Sequence, residues 1–241
     1  MSRLRCAFAL LGVLGLSSAA ARADDLEKVE KEIVGKWEQR KSLSAKLTMK
    51  MNMEVKGQRM RSEGAGTYEM LRRGSKVLVR QELNAQMLLN ANGQEMKINQ
   101  ASLVIGDGEF DYTINETLGN KQVFKGRPKK SLEFEPTQMF KYMREQSELK
   151  LLPEEKLEGE DVYVVETRPK KPTPNAPIAR SLYYFSKETG APLRMVSKND
   201  KDEDVQIMQF SALEFDARID PDRFKFEAPE GVKVIDQTSA P

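Results

Sequence analysis

The chain of 241 residues carries 39 basic and 37 acidic side chains, one cysteine and no histidine, for a net charge of +2. The lack of histidine excludes a His-containing catalytic triad and imidazole metal ligation, and a lone cysteine excludes an intramolecular disulfide. A near-neutral balance gives no case for nucleic acid as a partner.

Residues 1–23 read as a cleaved secretory signal. Arg3 and Arg5 make a basic start, Cys6 to Leu16 is an uncharged apolar run too short to span a bilayer comfortably, and Ala21-Arg22-Ala23 is a small-x-small cleavage site. Cys6 stands at the start of that run, so it is not placed as the lipid-modified residue of a lipoprotein. The expected mature protein is one exported, soluble domain over 24–241, or 241 minus 23, which is 218 residues. The signal holds Arg3, Arg5 and Arg22 and no acid, so the mature balance is 36 minus 37, or −1. A chain of this length can bury a core without covalent staples.

Asp24 to Ser42 has acids in its first turn and Leu26, Val29, Ile33 and Trp37 at helical spacing, which predicts an amphipathic helix with Trp37 as its anchor. Ser44 to Val55 then alternates at every residue, with Ala45, Leu47, Met49, Met51, Met53 and Val55 on one side. That is a strand with one apolar and one wet face. Burying such a face is worth about 10 kcal/mol, comparable to the net stability of a domain. A second strand, Met60 to Arg72, returns with Met60, Ser62, Gly64, Gly66, Tyr68 and Met70 on one face, and its two glycines predict a bend of the kind that curls a sheet. Turn signals at Gly74, Asn92-Gly93, Asp107-Gly108 and Gly119 separate the runs Val77 to Val79, Met87 to Leu89, Leu103 to Ile105 and Phe110 to Ile114, which predicts an antiparallel meander.

Pro136 opens a predicted helix to Gln146, with Met139, Phe140 and Met143 on one side as a cover for the sheet. Strands resume at Leu149 to Leu152, Asp161 to Thr167, Ser181 to Ser186, Leu193 to Lys198 and Val205 to Phe215, for about eleven in all. Arg168 to Arg180, with four prolines, reads as a loop rather than a domain linker. The fold class is mainly β: a curled antiparallel sheet with two amphipathic helices, the second a candidate cover over it.

Catalytic signatures are missing. Asp200-x-Asp202-x-Asp204 opens like a calcium loop, but Val205 stands where that loop needs glycine and Ser211 where it needs glutamate, so a hairpin tip is the better reading. Asp107, Glu109 and Asp111 belong to a turn, and there is no phosphate loop, nucleophile elbow or dinucleotide fingerprint. No enzyme activity and no cofactor is expected. What stands out is methionine, a side chain that repacks easily and lines surfaces taking varied apolar partners. Leu47, Met49, Met51, Met53, Met60, Tyr68, Met70, Val77, Val79, Met139, Phe140 and Met143 are the candidate wall of an apolar cavity for acyl chains; a plain core is the other reading of the same stripe.

Several motifs resemble the LolA/LolB family of periplasmic lipoprotein-sorting carriers. They are KSLSAKLTM after the first helix, RRGSKVLVR, LVIGDGEFDYT, EPTQMFKYM and the closing DPDRFKFEAPEGVKVID. The resemblance implies a half-barrel with a helical lid that takes lipoproteins, or related lipids, by their acyl chains from an inner-membrane releasing complex to an outer-membrane acceptor, as a monomer in the periplasm. It also implies a lid-latching arginine at the position of Arg80. The chain departs from the family at Gln81, where an aromatic is usual, and only Phe110 approximates the aromatic after Asp-Gly. Without a lipobox it looks like the soluble carrier. The alternative is a non-catalytic sensor or interaction domain of the same shape that binds a lipidated or protein partner.

Overall fold

Ser42–Val55 forms β1, and this strand lies in the middle of a single large sheet. The computed structural model describes residues 17–55, 58–91, 94–128, 135–173 and 176–239. The expected signal segment before Ser17 and the Asn92-Gly93 turn lie outside the described residues. After α1 (Ser17–Glu38) and β1 come β2 (Gln58–Arg73), β3 (Lys76–Ala91), β4 (Gln94–Gly106), β5 (Asp111–Thr117) and β6 (Asn120–Gly126). They are followed by α2 (Pro136–Gln146), β7 (Ser147–Leu151), β8 (Glu155–Leu157), β9 (Glu160–Pro169), β10 (Arg180–Ser186), β11 (Pro192–Lys198), β12 (Asp204–Phe215), a 3-10 turn (Pro221–Phe224) and β13 (Val234–Asp236).

The sheet runs β13-β6-β5-β4-β3-β2-β1-β12-β11-β10-β9-β7, with β8 beside β9. Neighbours are antiparallel except β13, which lies parallel to β6. The terminal strands β13 and β7 do not pair with each other, so the barrel is open as expected. Thirteen described strands replace the expected eleven. The runs Val77 to Val79 and Met87 to Leu89 are one continuous strand, β3. Three further strands went unread: β6, whose NKQVFKG carries too few apolar residues to signal a strand, and the three-residue β8 and β13. The first helix also differs from expectation. It ends at Glu38, because β1 already begins at Ser42, and starts at Ser17, within the Ala-rich stretch read as the end of the signal.

Register assigns each strand two faces. Leu47, Met49, Met51 and Met53 lie opposite Gly66, Gly64, Ser62 and Met60 on β2, and these lie opposite Leu83, Ala85, Met87 and Leu89 on β3. The face they share is the inner one, because it carries the helices. At one end Trp37, fully buried, packs with Leu43, Ala45, Leu47, Tyr68, Met70, Val79 and Phe210. Phe215 meets its edge at 6.5 Å, and Tyr68 meets Phe210 edge-on at 5.8 Å. On the far half, Leu26, Val29 and Ile33 of α1 and Phe140 and Met143 of α2 pack on Val165 and Phe185. Tyr163 on β9 donates to Glu32 on α1 at 2.9 Å. Burial and that carboxylate push the Tyr163 hydroxyl up to about 12, so it stays a donor at any ordinary pH.

The outer face carries most of the charged side chains of β1–β6 and is crossed there by the chain's C-terminal stretch, whereas over β9–β12 it buries Val162, Val164, Leu182 and Val196. In the C-terminal stretch Phe224 is buried, Phe226 stacks on Tyr112 at 4.1 Å, and β13 adds to the sheet edge. At the other end Glu166, buried, is bonded to Arg168 and at 2.6 Å to Arg180, which also pairs with Asp202. This network closes both ends of the proline-rich loop and accounts for Asp202 in the hairpin tip; Asp204 is paired with Lys198. Burial raises the Glu166 carboxyl, but its two arginine partners outweigh burial and hold it below its ordinary value of 4.5. A carboxylate so depressed contributes stability above its unfolded pKa, and that stability is lost as pH falls through the folded one. Glu166→Gln is therefore expected to lower stability at neutral pH and to flatten the stability loss below pH 4.5. Urea titrations of both proteins at pH 7 and pH 3.5 check this, and parallel acid profiles would reject it.

Candidate functional site

The inner face is longer than the helices that cover it. Beyond Leu47, among the described residues, methionine dominates the inner face, and only Met208 of those methionines packs against the core under the helices. One row across the sheet reads Met195, Met208, Met49, Gly64, Ala85. The next reads Gln206, Met51, Ser62, Met87, Ile98, and a third reads Met53, Met60, Leu89, Met96. Directly paired Cβ atoms sit about 4.5–5.5 Å apart, so side chains within a row touch or nearly touch. Met49, Met51, Met53, Met60, Met87, Met195 and Met208 are each half-buried, and Met96 is 53% exposed.

At its two glycines the trough brings β2 and β3 unusually close together. A Cβ built on Gly66 would lie 1.7 Å from the Glu82 carbonyl oxygen, and one on Gly64 would lie 3.0 Å from the Ala85 Cβ. β2 and β3 thus fold toward each other on the inner side at this point, and no side chain fits at Gly66. A groove of about 790 Å³ lies along the same strands, lined by Lys50, Glu63, Asn84 and Glu116 together with Met49, Ala65, Ala85 and Ala101.

The expected cavity residues separate into three groups. Met49, Met51, Met53 and Met60 line the trough. Leu47, Tyr68, Met70 and Val79 are buried in the core under Trp37, with Val77 half-buried beside them. Met139, Phe140 and Met143 pack with α1 on β7, β9 and β10, and Phe140 stacks on Phe185 at 5.2 Å. α2 therefore stands beside the methionine rows rather than over them.

Arg80, expected as the latch, does not bond α2. Successive residues in a strand face opposite sides, so Val79 on the inner face puts Arg80 on the outer one. There it donates to Glu82 and, at 3.1 Å, to the Arg223 carbonyl, and so ties down the C-terminal stretch. The arginine that does hold α2 is Arg72. Its Nη2 donates to Glu135 Oε1 at 3.1 Å, and its Nε donates to the Arg40 carbonyl at 3.0 Å, just after α1. Glu135, 7% exposed, also caps α2 by accepting from the Gln138 backbone N–H at 3.0 Å. A cleft of about 350 Å³ lies alongside, lined by Arg72, Val77, Val79, Asp111, Glu135 and Thr137.

Met87, Met96, Met195 and Met208 are trough residues that sequence reading missed. Val77, Val79, Leu83, Ala85, Met87 and Leu89 alternate through β3, so Met87 was legible there once the two short runs were joined. Met195 and Met208 become neighbours of Met49 only through the β11–β12–β1 register. Among the described residues no group of three or more Cys, Asp or Glu is placed to hold a metal ion.

No family model matches the chain, and no curated protein matches it. Solved structures do. An uncharacterized conserved protein from Thermus thermophilus is 12% identical over 88% of this chain and 99% of its own, with a TM-score of 0.48. A putative outer membrane lipoprotein-sorting protein domain from Vibrio parahaemolyticus is 13% identical over 82% of this chain and 94% of its own, at 0.36. A LolA superfamily protein is among them. This one, from Nitrosomonas europaea, is 12% identical over 82% of the chain and 97% of its own, with a TM-score of 0.28.

Proposed function

We propose that the protein is a non-catalytic periplasmic carrier that takes the acyl chains of lipoproteins, or related lipids, into the methionine trough and delivers them toward the outer membrane. The observation that supports this best is the inner face beyond Leu47: among the described residues, eight methionines on six strands, seven of them half-buried and one exposed, of which Met208 alone packs against the core. From Met195 to Ala85 the first row crosses four inter-strand steps of about 4.8 Å, or about 19 Å. Half of a ~30 Å hydrocarbon core, about 15 Å, is what one leaflet's chains span, so one row has the length for one chain. At about 0.8 kcal/mol per buried methylene, a C16 chain gains on the order of 12 kcal/mol when fully covered. An open trough covers it in part, which keeps binding reversible as a carrier requires. Thioether side chains on three unbranched bonds adapt to a guest of variable shape and relax when it leaves. No described helix is long and apolar enough to cross a membrane.

Native mass spectrometry of the protein from its own periplasm is expected to show co-purifying acyl species, and protein found empty under gentle handling would count against the carrier. Met51→Asp and Met53→Asp place charges at half-buried positions that tolerate them structurally. Each is expected to weaken binding of a palmitoylated peptide by about tenfold or more, since 1.4 kcal/mol of lost burial is one decade. Unchanged affinity would return these methionines to plain surface. Transfer of lipopeptide from vesicles into solution marks a carrier, whereas stable binding without extraction marks a sensor.

A further inference from the structure

The methionine rows do not end at β3. Past Ala85 the first row continues into Gln100 and Thr117, and the row beginning at Leu83 continues into Ser102 and Asn115. Thr113 lies on the same face, one row further along β5. The apolar trough thus passes directly into a wall of hydroxyls and carboxamides, half-buried and uncharged. Ser102 Oγ bonds Asn115 Oδ1 at 3.0 Å, which fixes that carboxamide with its NH₂ still able to donate.

The charges of these strands are segregated. Lys46, Lys50, Glu54, Arg59, Arg61, Glu63, Glu69, Glu82, Glu95, Lys97, Glu116, Lys121 and Lys125 all alternate to the outer face. On the inner face of β1–β6 the charged residues are Arg72, committed to Glu135, and Asp111. A phosphate brought to the wall would leave water and, on this face of the described strands, meet no cation but the committed Arg72, and an unpaired anion in a partly dry site is strongly disfavoured. Ester and amide carbonyls need only neutral donors, and the wall supplies them.

We infer that this wall is a head-group subsite selective for a neutral acylglyceryl group, and that it disfavours anionic phospholipids with the same chains. The inference rests on the carrier reading, because it assumes that chains lie in the trough. It assigns Gln100, Ser102, Thr113, Asn115 and Thr117 a role in specificity separate from the methionines' role in affinity.

The test is extraction of pyrene-labelled diacylglycerol and of pyrene-labelled phosphatidylglycerol, matched in chain length, from phosphatidylcholine vesicles by the full-length mature protein. The diacylglycerol is expected to be taken at least about tenfold better. Gln100→Lys and Asn115→Lys, which put a cation on the wall, are expected to shrink or reverse that ratio, and circular dichroism confirms that each variant folds. Ser102→Ala, a milder change, should reduce the preference for diacylglycerol alone. Equal uptake of both lipids by the unaltered protein, or an unmoved ratio in both lysine variants, would overturn the subsite and leave the carrier intact. Uptake of neither lipid would overturn the carrier reading and this inference with it.

Discussion

Gly66→Ala is expected to destabilise the protein by more than about 3 kcal/mol, beyond the usual range for overpacking. The added methyl would sit 1.7 Å from the Glu82 carbonyl oxygen, also within 3 Å of the Glu82 carbonyl carbon and the Leu83 Cα. All three atoms are backbone in the neighbouring strand, so no side chain can swing aside. Relief requires β2 and β3 to move apart, which breaks a ladder that runs unbroken from Arg59 opposite Asn90 to Arg73 opposite Lys76. Gly35 is the internal control: on the exposed side of α1, a Cβ there meets nothing within 4 Å, and alanine should stabilise the helix by up to about 1 kcal/mol. Urea denaturation of both variants gives the comparison. Equal midpoints for Gly66→Ala and Gly35→Ala would mean that the close approach of β2 and β3 does not depend on Gly66. Gly64→Ala, whose nearest contacts lie at 3.0 to 3.2 Å, should fall between them.

That close approach shows what the sequence could and could not reveal. Two glycines in the middle of the inward positions of a strand marked a bend or close approach, because strand geometry leaves few other uses for such residues, and at Gly66 the backbone of β3 does come too close for any side chain. The alternation of Ser44 to Val55 likewise fixed which side of β1 faces inward. What alternation could not show was how far along that face the helices reach. Leu47 and Met49 are two residues apart on the same side of the same strand, yet one is sealed under Trp37 and the other half-buried in the trough. The difference comes from where α1 ends, and that is a tertiary fact. The misplacement of Arg80 has another origin. A family position was carried over by motif while Val79 was assigned to the same cavity, and two adjacent strand residues cannot both face inward. Arg72 lay in the same RRGSKVLVR motif, in register with Val77 and on the inner side. Its partner Glu135 is 63 residues away and could be found only from the fold.

The Arg72–Glu135 pair is the second place where a large effect is expected. Both groups are largely removed from water, with side chains 23% and 9% exposed, and Glu135 serves two elements at once by capping α2 and pairing with β2. Removing one partner of a buried pair typically costs 3–5 kcal/mol, because the other charge stays desolvated and unpaired; the partial exposure of Arg72 places the expectation near the lower end, about 3 kcal/mol. Arg72→Leu should therefore destabilise strongly unless α2 detaches and lets Glu135 reach solvent. Hydrogen exchange separates the two responses: detachment speeds exchange at the Met139 and Met143 amides while β9 and β10 stay protected. Arg72→Leu with Glu135→Leu removes both charges and should be less destabilising than the sum of the single changes, with a coupling of about 1–3 kcal/mol. Additivity within about 0.5 kcal/mol would show that the pair is incidental. A coupled pair together with exchange confined to α2 would make Arg72 the restraint on the element that borders the trough, so that lipid uptake should rise in Arg72→Leu as α2 swings clear, with the Met49 to Met53 rows unchanged.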